Sequence, residues 1–190
     1  MNGIVKETLQ TVLLEIGDFL QSQELPHALI GGLAASLRGR TRVTEDADFV
    51  VVCSVDRALE LAETLDGQPF ELLFPEVEEV IRRSFILPLR HRETGIVVDL
   101  AIGVSGLEQQ VVSRATPVTI GNRQFPVATA EDLILMKMIA GRPQDDQDVR
   151  GIVSISQDSL DWDYCLRVAE QLEQAVGIDM VEKIRRLKDT

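Results

Sequence analysis

Cations are scarce in this chain: 19 lysines and arginines face 31 aspartates and glutamates, a formal charge of −12 over 190 residues. Coating nucleic acid by phosphate neutralisation needs the opposite balance, so the chain as a whole is excluded from that class, although a local basic pocket is not. Cysteine is nearly absent. Cys53 and Cys165 lie far apart in apolar stretches, which excludes a disulfide framework and reads as buried thiols in a reducing compartment. There are only two histidines, His27 and His91, and neither has a partner at helical metal-ligand spacing. No Ser/His/Asp or Cys/His arrangement stands out. No apolar run approaches the roughly 18 residues of a membrane span, and the N-terminus lacks a basic segment leading into an apolar one. A cytoplasmic globular protein without membrane contact is expected.

What is present is an ordinary globular composition, 45% hydrophobic and 26% charged. The length suits one domain, and such a chain buries enough surface to fold without staples. Ile4, Leu9, Val12, Leu13, Ile16 and Leu20 recur at helical spacing and predict an amphipathic helix over 3–22. His27 to Ile30 suits a buried strand running into a tight turn at Gly31-Gly32, followed by a helix over 33–39. Ala47 to Cys53 reads as a strand, 56–66 as a helix, and 84–91 with 95–102 as a hairpin. A further strand pair is expected at 115–120 and 123–127. From Thr129 the pattern becomes helical, over 130–140, 145–156, 160–175 and 178–188, with Thr129 and Asp132 as an N-cap pairing. The expected fold is α/β (α+β): a mixed central sheet flanked by helices over 1–128, and a C-terminal helical part over 129–190 packed on it.

The chemistry-bearing segment is acidic. Asp46 and Asp48 are separated by one residue at the entrance of an apolar strand, and on an extended chain their side chains share a face. Two like charges there call for a cation, and oxygen donors favour Mg²⁺ or Mn²⁺. Asp99 interrupts another apolar strand, Ile96 to Ile102, where an ionised carboxylate needs a partner. If the two strands are neighbours, Asp99 completes a cage able to hold two metals for an in-line nucleotidyl displacement. Taken singly, the pair also fits a solvated loop edge, and Asp99 a backbone-bonded or Arg-paired side chain. The order of strand, diglycine, helix, paired aspartates and later strand favours chemistry.

Residues 29–52, with Gly31-Gly32-Leu33-Ala34 followed by Arg42, Thr44, Asp46 and Asp48, resemble the core motif of the nucleotidyltransferase superfamily with the DNA-polymerase-β-like fold. The Gly-Gly-x-Ala form is most similar to the AbiEii-type branch, which includes toxins of toxin–antitoxin systems. This resemblance implies that Gly31 and Gly32 offer backbone N–H groups to nucleotide phosphates, that Asp46 and Asp48 hold the metal ions, and that Asp99 completes the metal site and helps deprotonate the acceptor hydroxyl. A nucleoside monophosphate would pass from an NTP to an acceptor: the AbiEii-type toxins imply RNA such as a tRNA end, protein hydroxyls and a small molecule stand as alternatives, and a cognate antitoxin is an implied partner. Where many superfamily members carry a serine after the first glycine, this chain has Gly32. The competing reading is a catalytically silent relative serving as an interaction or regulatory module, which the retention of all three carboxylates disfavours.

Arg38, Arg40 and Arg42 precede the acidic pair. They either grip a triphosphate, Arg42 foremost, or solvate a loop. Lys137 sits on an otherwise apolar helix and either snorkels outward or, as the resemblance implies, faces the nucleotide. Asp148 matches an acidic residue often found there in the family, whereas Asp145 and Asp146 read as complements to a helix dipole. Trp162 and Tyr164 read as packing for the last helices, and the basic stretch Lys183 to Lys188 as a solvated helix face.

Overall fold

A computed structural model of the chain describes residues 7–39 and 43–189. The chain divides into two compact units: Met1–Leu33 with Val43–Ala128, and Ala34–Arg42 with Thr129–Thr190. Among the described residues no helix is long and apolar enough to cross a membrane.

The first unit is built on seven strands. They are β1 (His27–Ile30), β2 (Ala47–Val51), β3 (Phe70–Leu72), β4 (Ile86–His91), β5 (Val97–Ile102), β6 (Thr116–Ile120) and β7 (Arg123–Val127), in the sheet order β3-β4-β5-β2-β1-β7-β6. The β2–β5 and β1–β7 pairs are parallel and the rest antiparallel. This is the mixed sheet that the sequence pattern predicts, and both expected strand pairs form. The apolar alternation decides which face is core. Phe49, Phe70, Leu87, Leu89, Val98 and Leu100 are fully buried, each worth about 1.5–3 kcal/mol in area removed from water. Helix α1 (Glu7–Ser22) buries Leu9, Val12, Leu13, Ile16, Phe19 and Leu20. It packs on this face, with Phe19 and Phe70 ring centroids 6.4 Å apart and His91 bonded to Glu15. Of the helix expected over 3–22, residues 3–6 lie outside the described residues.

Three local features differ from the sequence reading. Gly31-Gly32 does not form a separate turn: β1 ends at Ile30 and α2 (Gly31–Arg38) begins at once. Residues 68–83, for which no element was predicted, hold β3 and all but the last residue of helix α4 (Val77–Ser84), which follows α3 (Val55–Glu63); the strand expected from residue 84 begins at Ile86. Helix α5 (Gly106–Arg114) was also unforeseen, although Ser105 and Glu108 form a full capping box at its start, a signature readable in the sequence. Of the two thiols, Cys165 is buried and Cys53 only partly so. Burial pushes the Cys53 thiol up, with Arg57 pulling the other way.

The second unit contains α6 (Ala130–Ala140), α7 (Pro143–Ser156), α8 (Trp162–Val176) and α9 (Val181–Lys188). Thr129 caps α6 as expected: its hydroxyl accepts the Asp132 N–H at 3.2 Å and donates to the Asp132 carboxylate at 2.8 Å. The Tyr164 hydroxyl donates to the other oxygen of the same buried carboxylate, so Tyr164 serves packing and polar satisfaction of the helices. Pro143 occupies the first turn of α7, where its missing N–H costs nothing.

Candidate active site

The acidic residues of the first unit owe their positions to strand pairing. In the β1–β2 register Ile30 lies opposite Asp48, and in the parallel β2–β5 register Asp48 lies opposite Asp99. Paired residues present their side chains on the same sheet face, so Asp48 and Asp99 stand side by side. Asp46 lies two residues before Asp48 and is exposed, while Asp48 and Asp99 are half-buried. Burial pushes the Asp99 carboxyl above its ordinary range, and the charge of Asp46 pushes it further the same way.

The strand-to-helix junction brings the diglycine to this row. Gly31 has φ +67°, a left-handed conformation that L side chains adopt only at a cost of about 1–2 kcal/mol. A Cβ at Gly31 would lie 1.8 Å from Asp48 Oδ2, so the carboxylate occupies the space that any side chain here would need. Gly31 and Gly32 open α2, whose N-terminal end presents positive potential. An anion-binding junction beside three carboxylates is suited to a metal-carried polyphosphate.

The donor set has the chemistry of a hard-cation site: carboxylate oxygens, two of them neighbours in register, and a third that raises the affinity of Asp99 for any positive charge. The closed three-carboxylate cage expected from the spacing is not formed. Among the described residues, no three His, Cys, Asp or Glu side chains converge closely enough to hold a metal ion, and the Asp48 carboxylate lies against Gly31.

Of the three arginines ahead of the pair, Arg40 and Arg42 lie outside the described residues. Arg38 ends α2; burial lowers its pKa, and Glu131 partly restores it. In the second unit Lys137 does not snorkel outward. It is buried and ion-paired with Asp145 at 3.1 Å and Asp148 at 2.7 Å. Asp145 was read as a helix-dipole complement and does more. Its carboxylate is buried, accepts the Arg142 backbone N–H at 3.1 Å and binds the Arg142 guanidinium at 2.8 Å. Burial raises its pKa, but the hydrogen bonds from Arg142 and Lys137 outweigh this and hold it below the usual range. A lysine inside an apolar helix, with acids a turn or two beyond a proline, was the available signal for this cluster. His91 spends both ring nitrogens locally, Nε2 on Glu15 and Nδ1 on Thr94, in keeping with a non-ligand role.

Residues 7–188 match the family described as "Nucleotidyltransferase of unknown function (DUF6036)". The chain belongs to this family. Solved nucleotidyltransferase structures share the fold. The solution structure of the antibiotic-resistance factor ANT(2'')-Ia aligns over 79% of this chain and 85% of its own, with 14% identity and a TM-score of 0.56. Lincomycin-bound LnuA, a lincosamide antibiotic adenylyltransferase, aligns over 80% of this chain and 98% of its own, with 16% identity and a TM-score of 0.54. An antigenic nucleotidyltransferase-like protein from Paracoccidioides brasiliensis aligns over 93% and 91%, with 20% identity and a TM-score of 0.52. No curated protein matches this nucleotidyltransferase-family chain in sequence.

Proposed function

We propose that this family member moves a nucleoside monophosphate from an NTP to an acceptor hydroxyl. The observation that carries the proposal is the row formed by Asp48 and Asp99 in register, with Gly31 at the start of α2 packed against Asp48. Mg²⁺ or Mn²⁺ arriving with the triphosphate would be held by the neighbouring Asp48 and Asp99, with Asp46 drawn in by the ion's charge, and would polarise the α-phosphate. The Gly31 and Gly32 N–H groups receive phosphate oxygens. Asp99 takes the proton: the acceptor oxygen bonds to the α-phosphorus, the bond from that phosphorus to the β-bridging oxygen breaks, and pyrophosphate leaves.

Retention of all three carboxylates supports catalysis over a silent module. The resemblance of residues 29–52 to AbiEii-type proteins supports an RNA acceptor, a toxin role and a cognate antitoxin as partner. Solved structures of similar fold hold adenylyl-2''-tobramycin or lincomycin, which supports a small-molecule acceptor. The deciding experiment is calorimetric titration of each NTP with Mg²⁺ into wild type and Asp46→Ala/Asp48→Ala. Metal-dependent binding lost in the double variant is the expected result, and absence of NTP binding with either Mg²⁺ or Mn²⁺ overturns the proposal. Labelled-NTP transfer onto RNA, protein and small-molecule fractions then separates the acceptor classes.

A further inference from the structure

The sheet face that carries Asp48 and Asp99 continues over β4 and β3. Strand alternation places Val97, Asp99 and Ala101 of β5 on it, together with Ile86, Pro88 and Arg90 of β4 and Glu71 of β3. The opposite face is fully buried at Leu87, Leu89, Val98 and Leu100, whereas Val97, Asp99, Ala101, Ile86 and Glu71 are half-buried and Arg90 is exposed. Arg90 pairs with Val97 across β4–β5, one strand position pair from Asp99, a diagonal of roughly 7–8 Å and within reach of an arginine side chain.

Arg90 is also the exception among the described arginines of this unit. Arg57, Arg82, Arg83, Arg92 and Arg123 each hold a carboxylate, and Arg114 has a partner as well. Among the described residues Arg90 has no ion pair. Glu71 lies directly opposite it across β3–β4, yet the Glu71 carboxylate is bound to Arg92 at 2.9 Å. A guanidinium without an ion pair among the described residues, in a chain of charge −12 and across the strand pair from the half-buried Val97 and Asp99, is complementary to an anion.

We infer that Arg90 is an acceptor-selecting residue: the acceptor carries an anionic group, phosphate or carboxylate, next to the hydroxyl that meets Asp99. The inference rests on the nucleotidyltransferase reading above. The guanidinium binds the anion bidentately and sets the hydroxyl over Asp99, and the half-buried Val97 takes the uncharged part of the acceptor. A polycationic acceptor such as tobramycin is disfavoured by the same charge.

The test uses labelled NTPs with Mg²⁺ and four probes: a short oligoribonucleotide with a free 3′ hydroxyl, an Asp-Ser-Asp peptide, its Asn-Ser-Asn counterpart, and tobramycin. Wild type, Arg90→Gln, Arg90→Lys and the distant control Arg83→Gln are compared in parallel with calorimetric NTP binding. The expected result is transfer to the oligoribonucleotide, which assigns phosphate, or to Asp-Ser-Asp, which assigns carboxylate. In Arg90→Gln that transfer falls about tenfold or more in kcat/KM, with NTP affinity held, partial recovery in Arg90→Lys and no change in Arg83→Gln. Equal or better transfer to Asn-Ser-Asn or tobramycin overturns the inference. So does an unaltered Arg90→Gln, or NTP binding without transfer to either anionic probe, and all of these leave the nucleotidyltransferase reading standing. Failure of all variants to bind NTP removes both.

Discussion

Two acidic clusters in this protein show how differently one residue type is used. In the second unit Asp145 and Asp148 are buried against Lys137, with Arg142 closing over Asp145, and Asp145 is held below the ordinary carboxylate range. In the first unit the neighbour that most affects Asp99 is another acid, Asp46, and its carboxyl is pushed up. The first cluster is electrostatically complete within the fold and ties α6 to α7. The second concentrates negative charge at the opening of α2, an arrangement that lowers stability and is suited to a ligand that brings positive charge with it.

The largest effects should come from breaking each cluster in its own way. Asp99→Asn keeps the shape and removes the proton acceptor, so transfer measured with labelled NTP should fall a hundred- to ten-thousandfold. The same change should raise Tm at neutral pH, because a carboxyl whose folded pKa is raised weakens the fold as pH rises through that range and asparagine cannot ionise. A lowered Tm would show that the row stabilises the fold. Lys137→Met should act oppositely: both buried carboxylates lose the Lys137 ion pair while Asp145 keeps Arg142, and chemical denaturation should report a loss of about 3 kcal/mol.

A smaller effect separates conformation from contact. Gly31 and Gly67 both have positive φ, +67° and +73°, but an added Cβ meets Asp48 at Gly31 and nothing within 4 Å at Gly67. Gly67→Ala should cost about 1–2 kcal/mol from backbone strain alone. Gly31→Ala should cost more and also weaken NTP binding; equal losses of stability with intact binding would show that the carboxylate moves aside freely. The smallest effect is in acid. A depressed Asp145 contributes stability above the ordinary aspartate pKa of about 3.9 and loses it as pH falls through its lower folded value. The fall in stability below that pH should therefore flatten in Asp145→Asn.

Much of this was legible along the chain. Two strand-like runs joined by a short turn marked β4 and β5 as a hairpin, and Asp99 stood out as the one acid in an apolar run. The seam at Gly31-Gly32 and the aspartates two residues apart marked the site, because Gly31 has to be glycine and strand geometry aligns alternate side chains. Arg90 was not singled out, although the alternation of Ile86 to His91 already placed it on the Asp99 side of the sheet. What was missing was the pairing of Glu71 with Arg92, which leaves Arg90 without that partner. Asp145 was read only in part, because a helix-dipole role and a buried ion pair share one local signature, acid in a first turn.

The sequence by itself determined much of the local grammar: most of the strands and helices, the start of a helix at Thr129, and which side chains of a strand share a face. These follow from backbone sterics, capping and periodicity, all short-range. Only the tertiary structure decided that β2 lies parallel beside β5, so that Asp48 meets Asp99, and that Lys137 is buried with Asp145 and Asp148. Strand order and burial are settled by the best joint coverage of apolar surface across the whole chain, and no local window carries that information.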